Sequence, residues 1–328
     1  MFKKVAAVAA VVALSASVAF AGEFTVSNQF PPSHHISKTI HVFADKVAEL
    51  TGGKTKVNVA DSGALYSDAQ ILEAVQEGLV EVGLVGTYKW GGQVPAADVF
   101  DLPFLFPDLS SPKKFLDAGA NDILDAEFNK KGVKNLFWCD YGFIQMWNNV
   151  HPLHTPKDFE GLTMRSYSAG DSITLKALGA APTLISSAEM YMAIQQGTVK
   201  GATTGMPAAV SRKIYEVSKY LTIANYSTAQ FSVQANLEWW NDQDEETKKA
   251  IMEAGKVAEQ YLRDAVAASE GAAEKTVRDA GLEVNTLTAD ERAQMIEATK
   301  SVWDKYLERA GEIGQKLVAI AKDPKTFQ

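Results

Sequence analysis

Strand patterns and amphipathic helix patterns alternate along the first part of the chain, and this alternation restricts the possible folds more than any other feature. Residues 24–26 have the pattern of a short strand, and apolar residues at 36–50 recur at spacings of three and four, as on one face of a helix. A strand pattern at 56–59, a helix pattern at 71–79 and a strand pattern at 82–85 follow. This β-α-β-α-β order predicts a mainly parallel sheet covered by helices, with ligands at the carboxyl ends of its strands.

A proline-rich segment, residues 95–112, interrupts the alternation and makes a long helix there unfavourable. Consecutive strands are then predicted at 133–138 and 143–147, followed by a strand at 161–165 and a helix around 173–178. A second α/β unit therefore follows the first.

Two capping boxes, Ser186 with Glu189 and Thr288 with Glu291, predict two helix starts in the second half of the chain. Between them, residues 237–280 contain Glu, Lys, Ala and Leu with scarcely a helix breaker. This stretch predicts one helix that is long for a globular protein and could clamp two domains together. The second box begins the last predicted helix.

The first 21 residues have the pattern of a cleaved export signal. Met1–Lys4 is positively charged, residues 5–18 are apolar, and Ala19–Ala21 has the small-x-small pattern of a cleavage site. A membrane anchor is the alternative, but the apolar stretch is short and a strand pattern follows it instead of basic residues. We therefore expect export to a bacterial periplasm, with Gly22 as the first mature residue.

The charge and cysteine content exclude several classes of function. The 328 residues, enough for about two domains, include 40 Asp and Glu against 32 Lys and Arg. Nucleic acid is not expected as a partner, because neutralising phosphates needs a basic face. The single cysteine, Cys139, can form neither an internal disulfide nor a zinc site, and we expect it to be buried.

Motifs of catalysis and metal binding are absent from the sequence. It contains no G-x-S-x-G and no H-E-x-x-H. The five histidines lie at 34, 35, 41, 151 and 154 without a cysteine or acidic residue that completes a ligand set. We therefore expect no metal, no cofactor and no enzymatic reaction.

Arg165 is the most informative single residue. It closes the predicted strand at 161–165, where a guanidinium would present a planar fork of donors to a carboxylate or sulfonate. From spacing alone, a salt bridge to Asp158 or Glu160 is the alternative. Histidines 34 and 35 follow the first strand and either contact a ligand or belong to a solvated helix start.

Several short motifs follow one another along the chain, each occurring once. They are Leu-Thr-Gly-Gly-Lys before a Val-x-Val strand at 50–59, Leu-Pro-Phe-Leu-Phe at 102–106, Gly-Leu-Thr-Met-Arg-Ser at 161–166, Tyr-Met-Ala-Ile-Gln-Gln-Gly at 191–197, Gly-Ala-Thr-Thr-Gly at 201–205 and Tyr-Glu-Val-Ser-Lys-Tyr-Leu at 215–221. In this order they resemble the DctP family, the solute-binding subunits of tripartite ATP-independent periplasmic (TRAP) transporters.

The resemblance implies a two-domain α/β periplasmic binding protein whose cleft closes on an organic anion. Crossing strands and a long domain-spanning helix would join the domains. One domain would contain residues 22–141 and about 231–270, and the other 142–230 and about 271–328. The resemblance also implies a small and a large membrane subunit as partners, and we expect a monomer.

The resemblance further implies that Arg165 binds the carboxylate. Other ligand contacts are expected at His34, His35, Tyr88, Trp90, Met146, Trp147, Asn148, Ser187, Thr204 and Gln230. Tyr167 follows the arginine by two residues and should share its face. For Trp90 and Trp147 the alternative is a place in the core. Sialic-acid-binding members carry a second arginine on the crossing strand, whereas this chain has Ile144 there, which puts sialic acid in doubt.

Three functions remain open at this point. The first is a transport receptor for a small organic acid, and the second is a binding protein that feeds a signalling receptor. The third is an exported hydrolase or lyase, which would need an acid/base pair that the sequence does not offer. We interpret the chain as the transport receptor, whose ligand the sequence does not name.

Overall fold

Nine strands form one sheet within residues 22–328, the part of the chain that this computed structural model describes. The predicted export signal, residues 1–21, lies outside the described residues. The strands are β1 (Gly22–Ser27), β2 (Thr55–Ala60), β3 (Val82–Gly86), β4 (Val133–Asn148), β5 (Thr163–Ser166), β6 (Ala181–Leu184), β7 (Gly201–Gly205), β8 (Tyr220–Asn236) and β9 (Glu283–Thr286). Their order is β2-β1-β3-β8-β4-β7-β5-β6, and β9 pairs with β8.

Helices cover this sheet. In the same residues they are α1 (His35–Leu50), α2 (Ile71–Gln76), α3 (Ser111–Phe115), α4 (Asn121–Asn129), α5 (Ala169–Leu178), α6 (Met190–Gln195), α7 (Met206–Ser211), α8 (Leu237–Asp242), α9 (Glu245–Asp279), α10 (Ala289–Ala298) and α11 (Lys300–Lys322). The proline-rich segment forms no long helix, as predicted, and begins with the 3-10 turn Pro95–Asp101. Within the described residues, no helix combines the length and apolar character that a membrane span requires.

The sheet is mixed, which corrects the expectation of a mainly parallel one. Strand β1 pairs in parallel with β2 and β3, and β5 pairs in parallel with β6 and β7. Between these groups lie β4 and β8, which are antiparallel to each other and to β7 and β3, respectively. We name β2-β1-β3 the first sheet half and β7-β5-β6 the second sheet half. The parallel unit inferred from periodicity is thus present twice.

The two strands predicted at 133–138 and 143–147 are one strand, β4, which together with β8 runs through both sheet halves. A register shift between Asp140 and Phe143 marks the point where the halves meet. Gly142 lies in this shift with φ +105°, a conformation that glycine adopts most easily. The apolar pattern breaks at this glycine, whereas the hydrogen-bonded ladder continues past it. The sequence therefore suggested two strands.

Glu270 of α9 lies against this crossing point. Its side chain is buried, and a Cβ atom on Gly142 would overlap its carboxyl group. Burial raises the pKa of Glu270 to about 8, with a contribution from Glu274, while the backbone of Phe143 opposes the shift. Its Oε1 atom has no hydrogen-bond partner in the described part of the chain. The Glu270 carboxyl group is therefore mostly protonated at pH 7 in the folded protein.

We expect Glu270→Gln to remove part of the pH dependence of stability. Because the pKa of Glu270 is raised on folding, the folded state holds the extra proton between about pH 4.5 and 8, and stability falls as pH rises through that window. The amide copies the neutral acid, so the variant should gain stability relative to the unsubstituted protein between pH 5 and 8, by at most about 1.4 kcal/mol per pH unit. Urea unfolding measures this gain, with the exposed Glu297→Gln as control. Parallel profiles for all three proteins would contradict it.

One of the two predicted capping boxes is present. Thr288 and Glu291 form it at the start of α10. The box at Ser186 and Glu189 is wrong, because the two side chains bond each other and α6 starts only at Met190. The residues between β6 and α6 therefore form a loop beside the second sheet half.

The helix predicted at 237–280 is two helices, because Gln243 is extended and Asp244 caps the start of α9. The last predicted helix is likewise two, α10 and α11. Helix α9 packs on α1 beside the first sheet half and on α7 beside the second. Helix α11 packs against the turn Pro95–Asp101 and shares an apolar cluster with it. On this packing we propose that residues 300–322 belong with the first domain; the other domain boundaries stay predictions.

Candidate functional site

A small, narrow cavity lies between the two sheet halves, beside the crossing strands. Its roughly 270 Å³ of free space includes space open to solvent, and the centre of a water molecule fits in only about 20 Å³ of it. It is lined by Phe30, Tyr88, Tyr141, Ile144, Arg165, Tyr167, Ser187, Thr203, Thr204, Ala229 and Phe231. The cavity lies at the carboxyl ends of β1, β3 and β5, where the alternation of strands and helices predicted a ligand.

Three acceptors hold the Arg165 side chain, which is 2% exposed. Its Nε donates to the carbonyl of Ile185 at 2.9 Å, and its Nη1 donates to the carbonyl of Thr203 at 2.7 Å. Its Nη2 donates to the Oγ of Ser187 at 3.2 Å. Because a guanidinium has five N–H groups, one on each terminal nitrogen is left for another acceptor. Donors on both terminal nitrogens are what a carboxylate needs for a bidentate pair.

Within residues 22–328, no carboxylate forms an ion pair with this guanidinium. Asp158, one of the alternative partners, accepts two backbone N–H groups of its own turn instead. The nearby Asp171 accepts the hydroxyls of Thr203 and Tyr226, and burial raises its pKa. A buried cation without an anion of its own is costly. The Arg165 guanidinium is therefore placed to receive an anion from outside the chain.

Aromatic rings form much of the remaining wall. Tyr88 meets Tyr167 edge to face with ring centroids 5.2 Å apart, and meets Phe231 in the same way at 5.7 Å. Tyr141 packs against Phe30 and Phe231 at 5.8 and 5.4 Å. Burial raises the pKa of Tyr88, Tyr141 and Tyr167, so their hydroxyls stay protonated. The Tyr167 hydroxyl donates to the Oδ1 of Asp101 at 3.0 Å, so its proton is already used within the protein.

Five residues predicted as ligand contacts line the cavity: Arg165, Tyr88, Tyr167, Ser187 and Thr204. Tyr167 shares the cavity-facing side with Arg165, as their two-residue spacing predicted. The Thr204 hydroxyl lies 3.0 Å from the Tyr141 hydroxyl. Ile144 also lines the wall, at the position where a second arginine was considered.

His34 and His35 do not line this cavity; they line a separate surface cleft with residues of α7 and α9, and their contact with a ligand stays a prediction. The Nδ1 of His34 accepts the amide of Ile36 at 3.2 Å and so caps α1, and its ring stacks on Phe30 at 4.1 Å. The Nε2 of His35 lies 3.2 Å from the carbonyl of Asp140. Burial lowers the pKa of His34 well below its usual value and that of His35 to about 4. Both rings are therefore neutral and support the wall from behind.

Trp90 and Gln230, which were predicted as ligand contacts, also lie outside the cavity. Trp90 is fully buried in the core, and its Nε1 donates to the Oε1 of Gln234 at 3.2 Å. Gln230 donates to Asp140 at 2.8 Å. Tyr88 and Trp90 share a 3-10 turn with about three residues per turn, so side chains two apart point in different directions. Tyr88 faces the cavity and Trp90 faces the core.

The three contacts predicted at the end of β4 are structural as well. Met146 is fully buried among apolar residues. Trp147, the residue for which the core was the alternative, is buried and donates from Nε1 to the carbonyl of Thr204 at 3.1 Å. Asn148 accepts two amides of the turn that follows β4. These three side chains, which were predicted as ligand contacts, lie beyond the cavity.

Five wall residues were missed by the sequence reasoning: Phe30, Tyr141, Thr203, Ala229 and Phe231. Tyr141 and Ile144 both face the cavity although they lie three positions apart, because the register shift at Gly142 lies between them. A regular strand would have placed them on opposite faces. Phe30 could have been found as the aromatic residue that follows β1, whereas no sequence signal marks the two residues on β8.

The wall contains one cation, hydroxyl groups and aromatic surface, and it contains no carboxylate. Within the described part of the chain, no group of three or more His, Cys, Asp and Glu residues is arranged to hold a metal ion. A few placed polar groups on an apolar wall are typical of a small-molecule binding site.

The sequence matches a known family over most of its length. The profile of DctP, described as bacterial extracellular solute-binding protein, family 7, covers residues 26–310. The chain belongs to this family. The C4-dicarboxylate-binding periplasmic protein DctP of Rhodobacter capsulatus is 31% identical over 283 residues, which cover 85% of this chain and 84% of that protein.

Solved structures of TRAP periplasmic solute-binding proteins share the fold of this DctP-family chain. One from Roseobacter denitrificans, with bound β-D-glucuronate, has a TM-score of 0.87 and 28% identity, and covers 92% of this chain and 99% of that one. One from Sulfurospirillum deleyianum, with bound succinate, has a TM-score of 0.86 and 28% identity over the same shares. The predicted TRAP resemblance and the two-domain α/β binding-protein fold are confirmed.

The family also decides between receptor and enzyme. Its members are solute-binding proteins, and the two solved relatives are solute-binding proteins with bound β-D-glucuronate and bound succinate. This DctP-family protein is a solute-binding receptor and not an enzyme, as the absence of catalytic motifs indicated.

Proposed function

We propose that this TRAP solute-binding protein captures a small organic acid in the cavity between the two sheet halves and binds its carboxylate or sulfonate through Arg165. The observation that carries the proposal is the buried guanidinium, which, among residues 22–328, keeps one N–H free on each terminal nitrogen and has no carboxylate partner. The acids bound by the Roseobacter and Sulfurospirillum relatives support the ligand class.

We infer further that residues 1–21 direct export to the periplasm, and that the protein acts there as a monomer. It would deliver its acid to a small and a large membrane subunit of a TRAP transporter. The extracellular description of the family supports this location, and the signal pattern supports the route.

The wall favours a small flat or aromatic acid over a polyhydroxylated one. Ile144 offers no hydrogen bond to a sugar hydroxyl, and a hydroxyl buried without a partner costs about 1–3 kcal/mol. Three tyrosine rings and two phenylalanine rings instead offer flat apolar surface.

Mass spectrometry of the acid that co-purifies with the protein tests this proposal directly. Thermal unfolding with succinate, β-D-glucuronate, benzoate and phenylacetate then compares ligand classes, since an acid at 100 times its Kd adds about 2.7 kcal/mol of stability. We expect an aromatic acid to bind more tightly than glucuronate and to be recovered unchanged. Stabilisation by no acid would refute the proposed function, and tighter binding of glucuronate would refute only the aromatic preference.

We expect ligand binding to close the cleft. The narrow cavity leaves too little free space for an acid to pass in, so the two sheet halves must separate first, and bending at the crossing strands is the hinge motion that the fold permits. Small-angle X-ray scattering should therefore report a smaller radius of gyration with saturating acid than without it. An unchanged radius, with binding confirmed by calorimetry, would contradict this expectation.

A further inference from the structure

Arg212 connects the two sheet halves beside the ligand cavity. It directly follows α7, which packs beside the second sheet half. Its Nη2 donates to the carbonyl of Gln29 at 3.1 Å, and Gln29 belongs to the loop that follows β1 of the first half. A single side chain thus joins segments 183 residues apart in sequence.

The same guanidinium lies over the ring of Phe30, 4.8 Å from its centroid. Phe30 is a wall residue of the cavity, and its ring also stacks on His34. A cation over an aromatic face is attracted by the ring, and the attraction grows when both groups lose water. Arg212 therefore helps to fix a ring that a bound acid would touch.

The partners of Arg212 make these contacts depend on closure. Within residues 22–328, its recorded acceptors are the carbonyl of Gln29 and the ring of Phe30, and no carboxylate pairs with it. Both partners lie on the opposite sheet half, so separating the halves breaks both contacts at once. Among the described residues, no ion pair of Arg212 on its own half compensates for their loss.

We propose that Arg212 is a positioning residue that holds the cleft closed over the bound acid and keeps Phe30 against it. This inference rests on the proposed function, because closure matters only if an acid occupies the cavity. Arg212 is not among the cavity-lining residues, so it acts on the acid through Phe30 and through the stability of the closed form. Losing it should speed release of the acid more than it slows capture, since its contacts form only on closing.

Three substitutions separate the parts of this role. Arg212→Met keeps much of the length and removes both the charge and the donor, Arg212→Gln keeps a donor without charge, and Arg212→Lys keeps the charge without the planar fork. The matched control is Lys213→Met, which removes a neighbouring cation whose side chain is 68% exposed. The probe is whichever of succinate, β-D-glucuronate, benzoate and phenylacetate the unsubstituted protein binds most tightly.

We expect Arg212→Met to weaken binding of that acid about tenfold, mostly through faster dissociation in stopped-flow measurements. Arg212→Gln and Arg212→Lys should lose less, and Lys213→Met should bind as the unsubstituted protein does. Without acid, the melting temperature of Arg212→Met should stay within about 2 °C of the original, because the contacts are absent from the open form.

Two results would overturn this inference and leave the proposed function standing. The first is a Kd of Arg212→Met within threefold of that of the unsubstituted protein. The second is a fall in the melting temperature of Arg212→Met without acid that is large enough to account for the weaker binding. The second result would mean a structural role in place of a closing one. If the unsubstituted protein binds none of the four acids, the proposed function fails and this inference fails with it.

Discussion

Replacing Arg165 by alanine should abolish measurable binding of organic acids. The anion would lose its charged partner in a buried site, at a cost of roughly 3–5 kcal/mol, or more than about 100-fold in Kd. Arg165→Lys should restore little, because one ammonium group cannot replace donors on two terminal nitrogens. Calorimetry with the tightest-binding acid measures both variants, and a loss smaller than tenfold for the alanine variant would refute the assignment.

The fold of the alanine variant needs its own measurement, because Arg165 also ties the carbonyls of Ile185 and Thr203 together. Some loss of unfolding free energy is therefore expected. Arg309→Ala provides the matched control, since Arg309 donates to the carboxylate of Asp98 at 2.9 Å, away from the cavity wall. This control should lower stability and leave acid affinity unchanged.

Replacing Trp90 by alanine should have the opposite profile, with a large loss of stability. The ring is fully buried and stacks on Phe128 with centroids 4.6 Å apart. Deleting such a side chain costs about 3–5 kcal/mol. The amide oxygen of Gln234 would also lose its donor in the core. Urea unfolding should report this loss, whereas the Kd of any protein that remains folded should change by less than about twofold.

Trp90→Phe keeps the experiment interpretable if the alanine variant does not fold. It retains an aromatic ring in the core and removes only part of the packing and the Nε1 donor, so we expect a smaller loss of stability with unchanged affinity. A tenfold loss of acid affinity in this variant, with the free energy of unfolding preserved, would indicate that Trp90 contacts the ligand and would contradict its place in the core.

Periodicity predicted the elements of the fold better than their connections. The apolar repeat of α1 and the alternation of β2 arise within a few consecutive residues, so both could be recognised locally. The continuity of β4 could not, because it depends on pairing with β8, some 80 residues further along the chain. Pairing between distant strands also makes the sheet mixed, which no local pattern indicates.

The candidate site shows the same division. The position of Arg165 at a strand end and its spacing from Tyr167 could be predicted, because strand geometry fixes which side chains share a face. The 3-10 turn after β3 has no such two-residue rule, so the side on which Trp90 lies could not be predicted. The position of the histidines could not be predicted for another reason: His34 stacks behind Phe30 and His35 stacks on His34, and sequence spacing does not report depth.

The acceptors of Arg165 have a consequence for how this receptor could diverge. Two of the three are main-chain carbonyls, which no amino-acid replacement deletes, and only Ser187 contributes a side chain. Mutations at the aromatic and aliphatic positions around the cavity would therefore alter the preferred substrate while the orientation of the guanidinium is inherited intact. A few substitutions at these wall positions could therefore change the preferred acid, and every intermediate protein would still bind anions through the guanidinium.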